Sequence, residues 1–338
     1  MGTLIKILSI VLVLVGLTVS IIALASCGFD LRKSEALTTE SFDITEDFEK
    51  IVTDLGDTSC DLTVKRSEGE SASIKLCHTE RDRISYGVKD GVLTVKSDDQ
   101  RRWYDKIMNF TTLSVTISLP EKDFDSLTHR GTSGDVRISD ISLGSLDIDT
   151  TSGDIYLRSV NATKAVSLEC TSGECEIEKL CAAALTMDVT SGDFDIRSLS
   201  VTGDVKIYAT TSDIEIENAD IGSLLINATS SDIELAGLKA GSAVNLEATS
   251  GEIELKEVIA GDKLTVDTTS GDITLIRSDA ASYYLKSGSG DVEGSILTRK
   301  NFKASSTSGS VRTPDSDYTA GICEIKTTSG DIRISLAD

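Results

Sequence analysis

The stretch DTTSGDIYL (149–157) places a Thr-Ser-Gly-Asp corner between two short runs in which apolar and polar residues alternate. Related corners occur in ECTSGECEI (169–177), DVTSGDFDI (188–196), EATSGEIEL (247–255) and DTTSGDITL (267–275). Similar segments that recur at a fixed period are typical of repeat proteins. The spacing of this corner therefore decides the fold class.

The residue that follows the corner glycine, or its equivalent, marks the register of eleven copies. These residues are Asp135, Asp154, Glu174, Asp193, Asp213, Asp232, Glu252, Asp272, Asp291, Ser310 and Asp331. Successive marks lie 19, 20, 19, 20, 19, 20, 20, 19, 19 and 21 residues apart. A copy of about twenty residues cannot bury its own apolar face, whereas stacked copies bury a shared core.

Within each copy the apolar residues alternate with polar ones, which is a strand pattern. One position after the mark, for example, the sequence has Ile155, Cys175, Phe194 and Ile214. The sequence therefore predicts an all-β fold, a parallel β-solenoid with rungs of about 20 residues whose matching columns lie about 4.8 Å apart. A helical solenoid would need a period of 3.6, and a propeller blade needs about 40 residues.

The corner itself has a structural interpretation and a functional one. Glycine suits a backbone position with positive φ, and Thr, Ser and Asp side chains satisfy the backbone groups of a turn. We interpret the corner as structural, with little strain at Ser212 and Ser231, which replace the glycine. The alternative is a Ca²⁺ site, because aspartates this close together repel unless they are hydrogen-bonded or neutralised. Its candidate ligands are Asp135, Asp154, Asp193, Asp213, Asp232, Asp272 and Asp291.

The chain divides into three parts. Residues 1–30 contain an uncharged apolar run from Ile7 to Ala25, long enough to cross a bilayer. Residues 31–125 are β-rich but irregular, and we expect them to form a cap and the first wide coils. Residues 126–338 carry the regular solenoid. Within the cap, Trp103 and Tyr104 of RRWYDKIM (101–108) either cover the open core or contact a membrane or sugar.

Two anchors are compatible with the N-terminus. The length of the apolar run favours a single-pass signal anchor, since the apolar regions of signal peptides are usually shorter. The sequence LASC (24–27) resembles a bacterial lipobox, in which Cys27 would be lipidated. Both alternatives predict a protein held at the cell membrane with its C-terminal ectodomain outside the cytoplasm.

Composition disfavours several classes of function. A formal charge of −22 is unfavourable for binding nucleic acid. Two histidines and the absence of a Cys-x-x-Cys pair leave little for zinc binding or histidine-based catalysis. Outward acids are spread regularly instead of clustering beside aromatic residues, which disfavours a polysaccharide-cleaving enzyme. They are Glu176, Glu178, Glu215, Glu217, Glu234 and Glu254. We predict no catalytic residues and no resident cofactor other than Ca²⁺ in the alternative above.

An ordered set of segments resembles the bacterial DUF4097 (YvlB-like) family of predicted adhesins. After the apolar run come ITEDFEKI (44–51), KDGVLTVK (89–96), RRWYD (101–105), VTISLPEKDFDSL (115–127) and the TSGD copies. The resemblance covers nearly all of residues 40–338. It implies a β-helical ectodomain at the bacterial cell envelope.

Together these observations predict a non-enzymatic, membrane-anchored, rigid acidic rod that acts as an adhesin or interaction scaffold. Its expected partner is a glycan or protein of the envelope, and the alternative is a Ca²⁺- or glycan-binding surface module. The last copy runs to the C-terminus without a capping helix. We therefore expect an unpaired strand edge there and end-to-end self-association.

Overall fold

Alternating apolar and polar residues form short strands that turn at each corner. The computed structural model describes residues 36–80, 82–99 and 112–337, which form 28 strands of one continuous sheet. The strands of the first third are β1 Thr38–Ile44, β2 Lys50–Arg66, β3 Ala72–His78, β4 Asp82–Lys89, β5 Val92–Asp99, β6 Leu113–Leu119, β7 Asp123–Ser133 and β8 Val136–Ser152.

The regular coils follow, with two or three strands in each. They are β9 Ile155–Ala162, β10 Ala165–Ser172, β11 Cys175–Ile177, β12 Leu180–Ala182, β13 Ala184–Ser191, β14 Phe194–Ile196, β15 Leu199–Thr211, β16 Ile214–Glu217, β17 Ala219–Ser230, β18 Ile233–Ala236, β19 Lys239–Ala240, β20 Val244–Ser250, β21 Ile253–Lys256 and β22 Ile259–Ser270. The last strands are β23 Ile273–Ser289, β24 Val292–Ile296, β25 Asn301–Ser308, β26 Val311–Arg312, β27 Ile322–Ser329 and β28 Ile332–Leu336.

The predicted parallel β-solenoid of about eleven turns is confirmed. Cys175 pairs in register with Ile155 on one side and Phe194 on the other, and Phe194 pairs with Ile214. All four side chains are at most 1% exposed. The alternation of the sequence thus produces one aliphatic core along the whole stack, which is the main stabilising contribution of the fold.

The N-terminal end is closed by antiparallel strands. The two halves of β2 pair in parallel with β5 and β6 on one side and with β7 and β8 on the other. Antiparallel β4 then pairs with β5, and antiparallel β3 and β1 continue beyond β6. Cys60 and Cys77 lie on β2 and β3, on opposite sides of β6, about 9.6 Å apart at two strand spacings. That separation is too long for a disulfide, and both thiols are free of disulfides within the described part of the chain.

The last two coils stack in the reverse of their order in the sequence. Strand β27 pairs with β23 on one side and β25 on the other, and β28 lies in the same way between β24 and β26. The chain therefore skips one level at residues 297–300, forms its outermost coil, and returns through residues 313–321 to fill the gap. Our expectation that the last copy in the sequence forms the end of the rod is wrong.

The burial of apolar side chains explains why the last two coils stack in reverse order. The inner position is covered on both sides, and it is occupied by the more apolar coil, whose Ile325 and Ile332 are fully buried. The coil at the end has Ser306 and the 45% exposed Val311 at core-facing positions. The doubly covered position removes more apolar surface from water, so placing the more apolar coil there lowers the free energy of the folded protein.

A buried ion pair holds the skipped level in place. The Lys300 ammonium is 3.0 Å from the Asp279 carboxylate, and Lys300 is only 6% exposed. The Thr298 hydroxyl donates to Asp279 at 2.8 Å, and Lys300 donates to the Thr298 hydroxyl at 2.7 Å. These contacts hold residues 297–300, where the chain skips one level, against the preceding coil.

Candidate functional site

The corner glycines allow the coils to approach closely. Gly192 has φ 137°, and a Cβ atom there would lie 2.0 Å from the carbonyl oxygen of Gly173 in the coil below. Positive φ at the corner, which we predicted, is also found at Gly134, Gly153, Gly173, Gly251 and Gly271. Gly290, Gly309 and Gly330 lie outside the positive-φ region, although a Cβ atom there would lie 2.0–2.1 Å from a carbonyl oxygen of a neighbouring coil. Ser212 and Ser231 also lie outside that region, and both are buried.

The aspartate after each corner accepts a hydrogen bond from the backbone of a neighbouring coil. Asp213 Oδ1 accepts from the amide of Asp232 at 3.3 Å, and Asp232 Oδ1 accepts from the amide of Glu252 at 2.7 Å. The same bond recurs, with amide-to-Oδ1 distances of 2.7–3.2 Å, for Asp61, Asp135, Asp154, Asp193, Asp272, Asp291 and Asp331. This aspartate ladder satisfies one corner amide in each coil that stacks on an aspartate, and so gives these aspartates a structural role.

The exceptions follow the same geometry. Glu174 and Glu252 stand in the ladder but accept no such amide bond within the described residues, since their side chains are one methylene longer. Ser310 is the one mark that carries no carboxylate. It belongs to the outermost coil, its own amide donates to Asp331 at 2.7 Å, and no further coil of the described chain stacks on it. The exchanged coil order therefore lets Asp291 and Asp331 both act as amide acceptors.

We expect Asp232→Ala to lower the free energy of unfolding by about 1–2 kcal/mol, because the Glu252 amide loses a charged acceptor. Asp232→Asn should retain the acceptor oxygen and remove one charge from a crowded acidic column, so its stability should equal or exceed that of the wild type at low salt. Urea unfolding of both variants, with Glu174→Ala as the matched control, checks this. Equal losses in all three would show that the bond contributes nothing.

A second acidic column runs beside the ladder on the same face of the rod. Its members are Glu176, Asp195, Glu215, Glu234 and Glu254, which occupy equivalent positions of successive coils. We call these five residues, with the adjacent Glu174, Asp193, Asp213, Asp232 and Glu252, the acidic face. Most of them line a shallow groove of about 510 Å³.

The charges on the acidic face interact with one another. Partial burial and the carboxylates of Glu234 and Asp195 raise the pKa of Glu215. Arg197 relieves part of this repulsion through two hydrogen bonds to Asp195, at 2.6 and 3.1 Å. The face is therefore a dense anionic surface whose carboxylates repel one another.

The predicted site residues have different outcomes. All seven aspartates of the proposed Ca²⁺ column lie in the aspartate ladder, and Ca²⁺ binding stays a prediction. In the part of the chain that the structure describes, no group of three or more His, Cys, Asp or Glu side chains is arranged to hold a metal ion.

Cys27, Trp103 and Tyr104 lie outside the described residues, as does the apolar run. Across residues 36–80, 82–99 and 112–337, no helix has the length and apolar character needed to cross a bilayer.

His129 stands where other coils have an aliphatic residue, and it is satisfied within the core. It is 2% exposed, and its Nδ1 is 2.8 Å from the Thr53 hydroxyl. Burial, and then the nearby charge of Arg130, lowers the pKa of His129 from 6.5 to about 4.

This shift predicts a defined loss of stability in acid. The unfolded chain takes up a proton at His129 near pH 6.5 and the folded chain only near pH 4, so unfolding binds a proton between these values. His129 therefore leaves the free energy of unfolding unchanged above pH 6.5. Its protonation in the unfolded chain lowers that free energy by about 3 kcal/mol as the pH drops to 4. Unfolding free energies of the wild type and His129→Gln should differ in pH dependence within this window and be parallel above it. Parallel curves throughout would contradict the shift.

Comparison with known proteins identifies the family. The family model described as Toastrack DUF4097 matches residues 48–236, 202–286 and 280–338. The chain belongs to this family. The resemblance found in the sequence is thereby confirmed, and no curated protein matches the chain.

Several crystal structures are similar to this DUF4097 protein at low identity. A "putative adhesin" from Parabacteroides distasonis is 14% identical with a TM-score of 0.43, and the match covers 87% of this chain and 98% of that one. A second, from Bacteroides fragilis, is 13% identical with a TM-score of 0.37 over 89% and 98% of the chains. A "putative lipid binding protein" from P. distasonis is 13% identical with a TM-score of 0.35 over 88% and 97%.

Proposed function

We propose that this DUF4097 protein is a non-enzymatic interaction scaffold of the bacterial cell envelope, which presents the acidic face on a rigid rod. The observation that carries the proposal is the pair of adjacent carboxylate columns that extends over five successive coils. The marked coils alone span about 48 Å at about 4.8 Å per step. A surface repeated at this spacing suits a polymeric or multivalent cationic partner.

The roles of the acids support a scaffold over an enzyme. The ladder aspartates are engaged by corner amides, and Asp195 is bonded to Arg197. A glycosidase needs one pair of carboxylates set apart from its neighbours by environment. Here the carboxylates of the acidic face repeat at equivalent positions over five successive coils.

Labelled hexalysine serves as a probe of the acidic face. We expect it to bind the wild type in low salt, to be released as the salt concentration rises, and to bind about tenfold more weakly to the triple variant Asp195→Asn/Glu215→Gln/Glu234→Gln. The matched control neutralises three exposed acids on other strands, Glu169→Gln/Asp188→Asn/Glu247→Gln. Equal weakening by both triple variants would show a response to net charge alone and would sink the proposal.

The envelope location rests on the apolar run Ile7–Ala25 and is tested separately. Membrane fractionation should place the full chain with the membranes. Mass analysis of the mature N-terminus should then show either a retained Met1, for the signal anchor, or a lipidated Cys27. Recovery of an unmodified chain in the cytosol would contradict the location.

The Ca²⁺ alternative has its own test. If the seven ladder aspartates bind Ca²⁺, the midpoint of thermal unfolding rises with millimolar Ca²⁺ and falls with a chelator. An unchanged midpoint in both conditions would remove this alternative and leave the scaffold proposal intact.

A further inference from the structure

The outermost coil differs in charge from the rest of the rod. Residues 297–314 contain Arg299, Lys300, Lys303 and Arg312, and the return segment that completes the coil adds Asp315 and Asp317, so the coil has a net positive charge in a chain of net charge −22. Lys300 is buried against Asp279. Lys303 pairs in register with Glu324 and Arg312 with another cation, Arg333, and neither Lys303 nor Arg312 has a carboxylate within ion-pair distance in the described part of the chain. The acidic rod therefore ends in a cationic coil.

This coil also has an open strand edge. Strand β25 pairs with β27, and on its other side the hydroxyl of Ser316 accepts from the Phe302 amide at 3.1 Å and donates to the Phe302 carbonyl at 3.5 Å. Successive residues of a strand direct their backbone groups to opposite sides, so those of Ala304 and Ser306 share the outer side with Phe302. Beyond the contact with Ser316, the described chain places no strand on this edge.

Apolar side chains surround the same edge. Val311 continues the core column of Val292 and Ile332, which are fully buried, yet it is itself 45% exposed. Leu297 is 39% exposed and Tyr318 84% exposed. Strands β25 and β26 with Leu297 and Tyr318 are called the rod tip below. The aliphatic core is thus uncovered at the rod tip.

We propose that the rod tip binds an extended peptide of alternating apolar and acidic residues, which adds to β25 as a further strand. The open edge supplies backbone hydrogen bonds to such a strand. Beside β25, its apolar side chains would cover the core column at Ala304 and an acidic side chain would lie opposite Lys303. Where the peptide follows the corner of the coil to β26, the same alternation would cover Val311 and place an acidic side chain opposite Arg312. Backbone pairing gives affinity, and the alternation of the peptide gives specificity.

A second copy stacked end to end fits the rod tip less well. Each corner amide bonded in the ladder donates to an aspartate of the neighbouring coil. At the outermost corner the equivalent residue is Ser310, which offers no carboxylate to the corner amide of a stacked copy. Two rods of net charge −22 also repel each other. The inference concerns a surface separate from the acidic face, and it can hold or fail independently of the proposed function.

A fluorescein-labelled peptide DIEIENAD, the sequence of residues 213–220, is a suitable probe because its apolar and acidic residues alternate. Fluorescence anisotropy should show that it binds the full chain carrying Asp195→Asn/Glu215→Gln/Glu234→Gln, in which the acidic face binds cationic peptides weakly, and that its lysine counterpart DIKIKNAD does not. The variant Lys303→Glu/Arg312→Glu should bind DIEIENAD about tenfold more weakly, since two attractive cross-strand pairs become repulsive. The matched control Lys239→Glu/Lys256→Glu, with the same change in net charge on exposed residues away from the rod tip, should bind like the wild type.

A second variant tests the strand edge independently of charge. Ala304→Pro removes an outward amide on an edge strand, where proline is best tolerated, and should also abolish binding. Circular dichroism and thermal unfolding confirm that each variant is folded. Equal binding of both peptides, or equal affinities of the tip and control charge variants, would overturn the proposal. Binding to anionic phosphatidylglycerol vesicles without any binding of DIEIENAD would also overturn it in favour of a lipid surface.

Discussion

Replacing Gly192 by alanine is expected to lower the free energy of unfolding by about 3 kcal/mol, among the largest effects of any single methyl group in this chain. Gly192 has φ 137°, which side chains with a Cβ rarely adopt, and the new methyl would lie 2.0 Å from the Gly173 carbonyl oxygen. Moving apart to relieve this contact would stretch the backbone hydrogen bonds between the two coils, such as that from the Gly173 amide to the Ser191 carbonyl. Urea unfolding measures the loss, and hydrogen exchange should locate it in the coils on either side.

Ser212→Ala is the matched control, because it changes the equivalent corner position in the next coil. Ser212 lies outside the positive-φ region, and its buried hydroxyl has no hydrogen-bond partner among the residues that the structure describes. Removing that hydroxyl should change stability by less than about 1 kcal/mol. Equal losses in Gly192→Ala and Ser212→Ala would show that close approach of the backbones does not determine the corner sequence.

Replacing Asp279 by alanine should have a comparable effect, confined to one end of the rod. The change leaves the Lys300 ammonium buried without its counter-charge, which costs about 3–5 kcal/mol. It also removes the acceptor of the Thr298 hydroxyl. Hydrogen exchange should therefore show loss of protection in residues 297–337 while residues 136–270 stay protected, because each coil of a solenoid contacts only its neighbours.

Two further variants separate the buried pair from a general charge effect. Asp267→Ala removes an acid from the exposed pair with Lys286, 2.9 Å away, and should cost at most about 1 kcal/mol. Asp279→Ala/Lys300→Met should recover much of the lost protection, since no buried charge remains unpaired. If the single and double variants were equally destabilised, the ion pair would not be what holds the skipped level.

The regular part of the fold could be predicted from the sequence because its contacts follow from two local properties, the alternation of apolar and polar residues and the length of the repeat. A side chain in a strand lies on one of two faces, so the alternation around Ile155 and its equivalents fixed both the strands and the core. The period of about twenty residues then fixed which residues pair between coils. The corner could be predicted for the same reason, since glycine and aspartate have few alternative roles at a tight turn.

The order of the last two coils could not be predicted from the period. The interval of 19 residues from Asp291 to Ser310 is an ordinary coil spacing, so sequential stacking looks equally regular. The stacking order depends on the apolar surface that each whole coil buries. The apolar residues of 322–336 lose more solvent-exposed surface in the inner position than Ser306 and Val311 would. One local signal was present, because Ser310 is the single mark without a carboxylate.

The acidic face was only partly visible in the sequence. Glu176, Glu215, Glu234 and Glu254 could be placed outward by alternation alone. That their column lies beside the ladder, and that Arg197 pairs with Asp195 between them, depends on how the strand after the corner packs. The ladder bonds themselves depend on side-chain length, which distinguishes Asp232 from Glu252 although both carry the same charge.

Oxidative cross-linking of paired cysteines, mapped by peptide mass spectrometry, tests the stacked and exchanged coils most directly. Parallel neighbours lie about 4.8 Å apart, within disulfide reach, whereas residues two coils apart are about 9.6 Å apart and are not. We predict disulfides in Glu215→Cys/Glu234→Cys and in Glu293→Cys/Arg333→Cys, whose residues pair in register, and none in Glu293→Cys/Arg312→Cys. A disulfide in the last variant, with none in the second, would contradict the exchanged order, and failure of the first would contradict the solenoid itself.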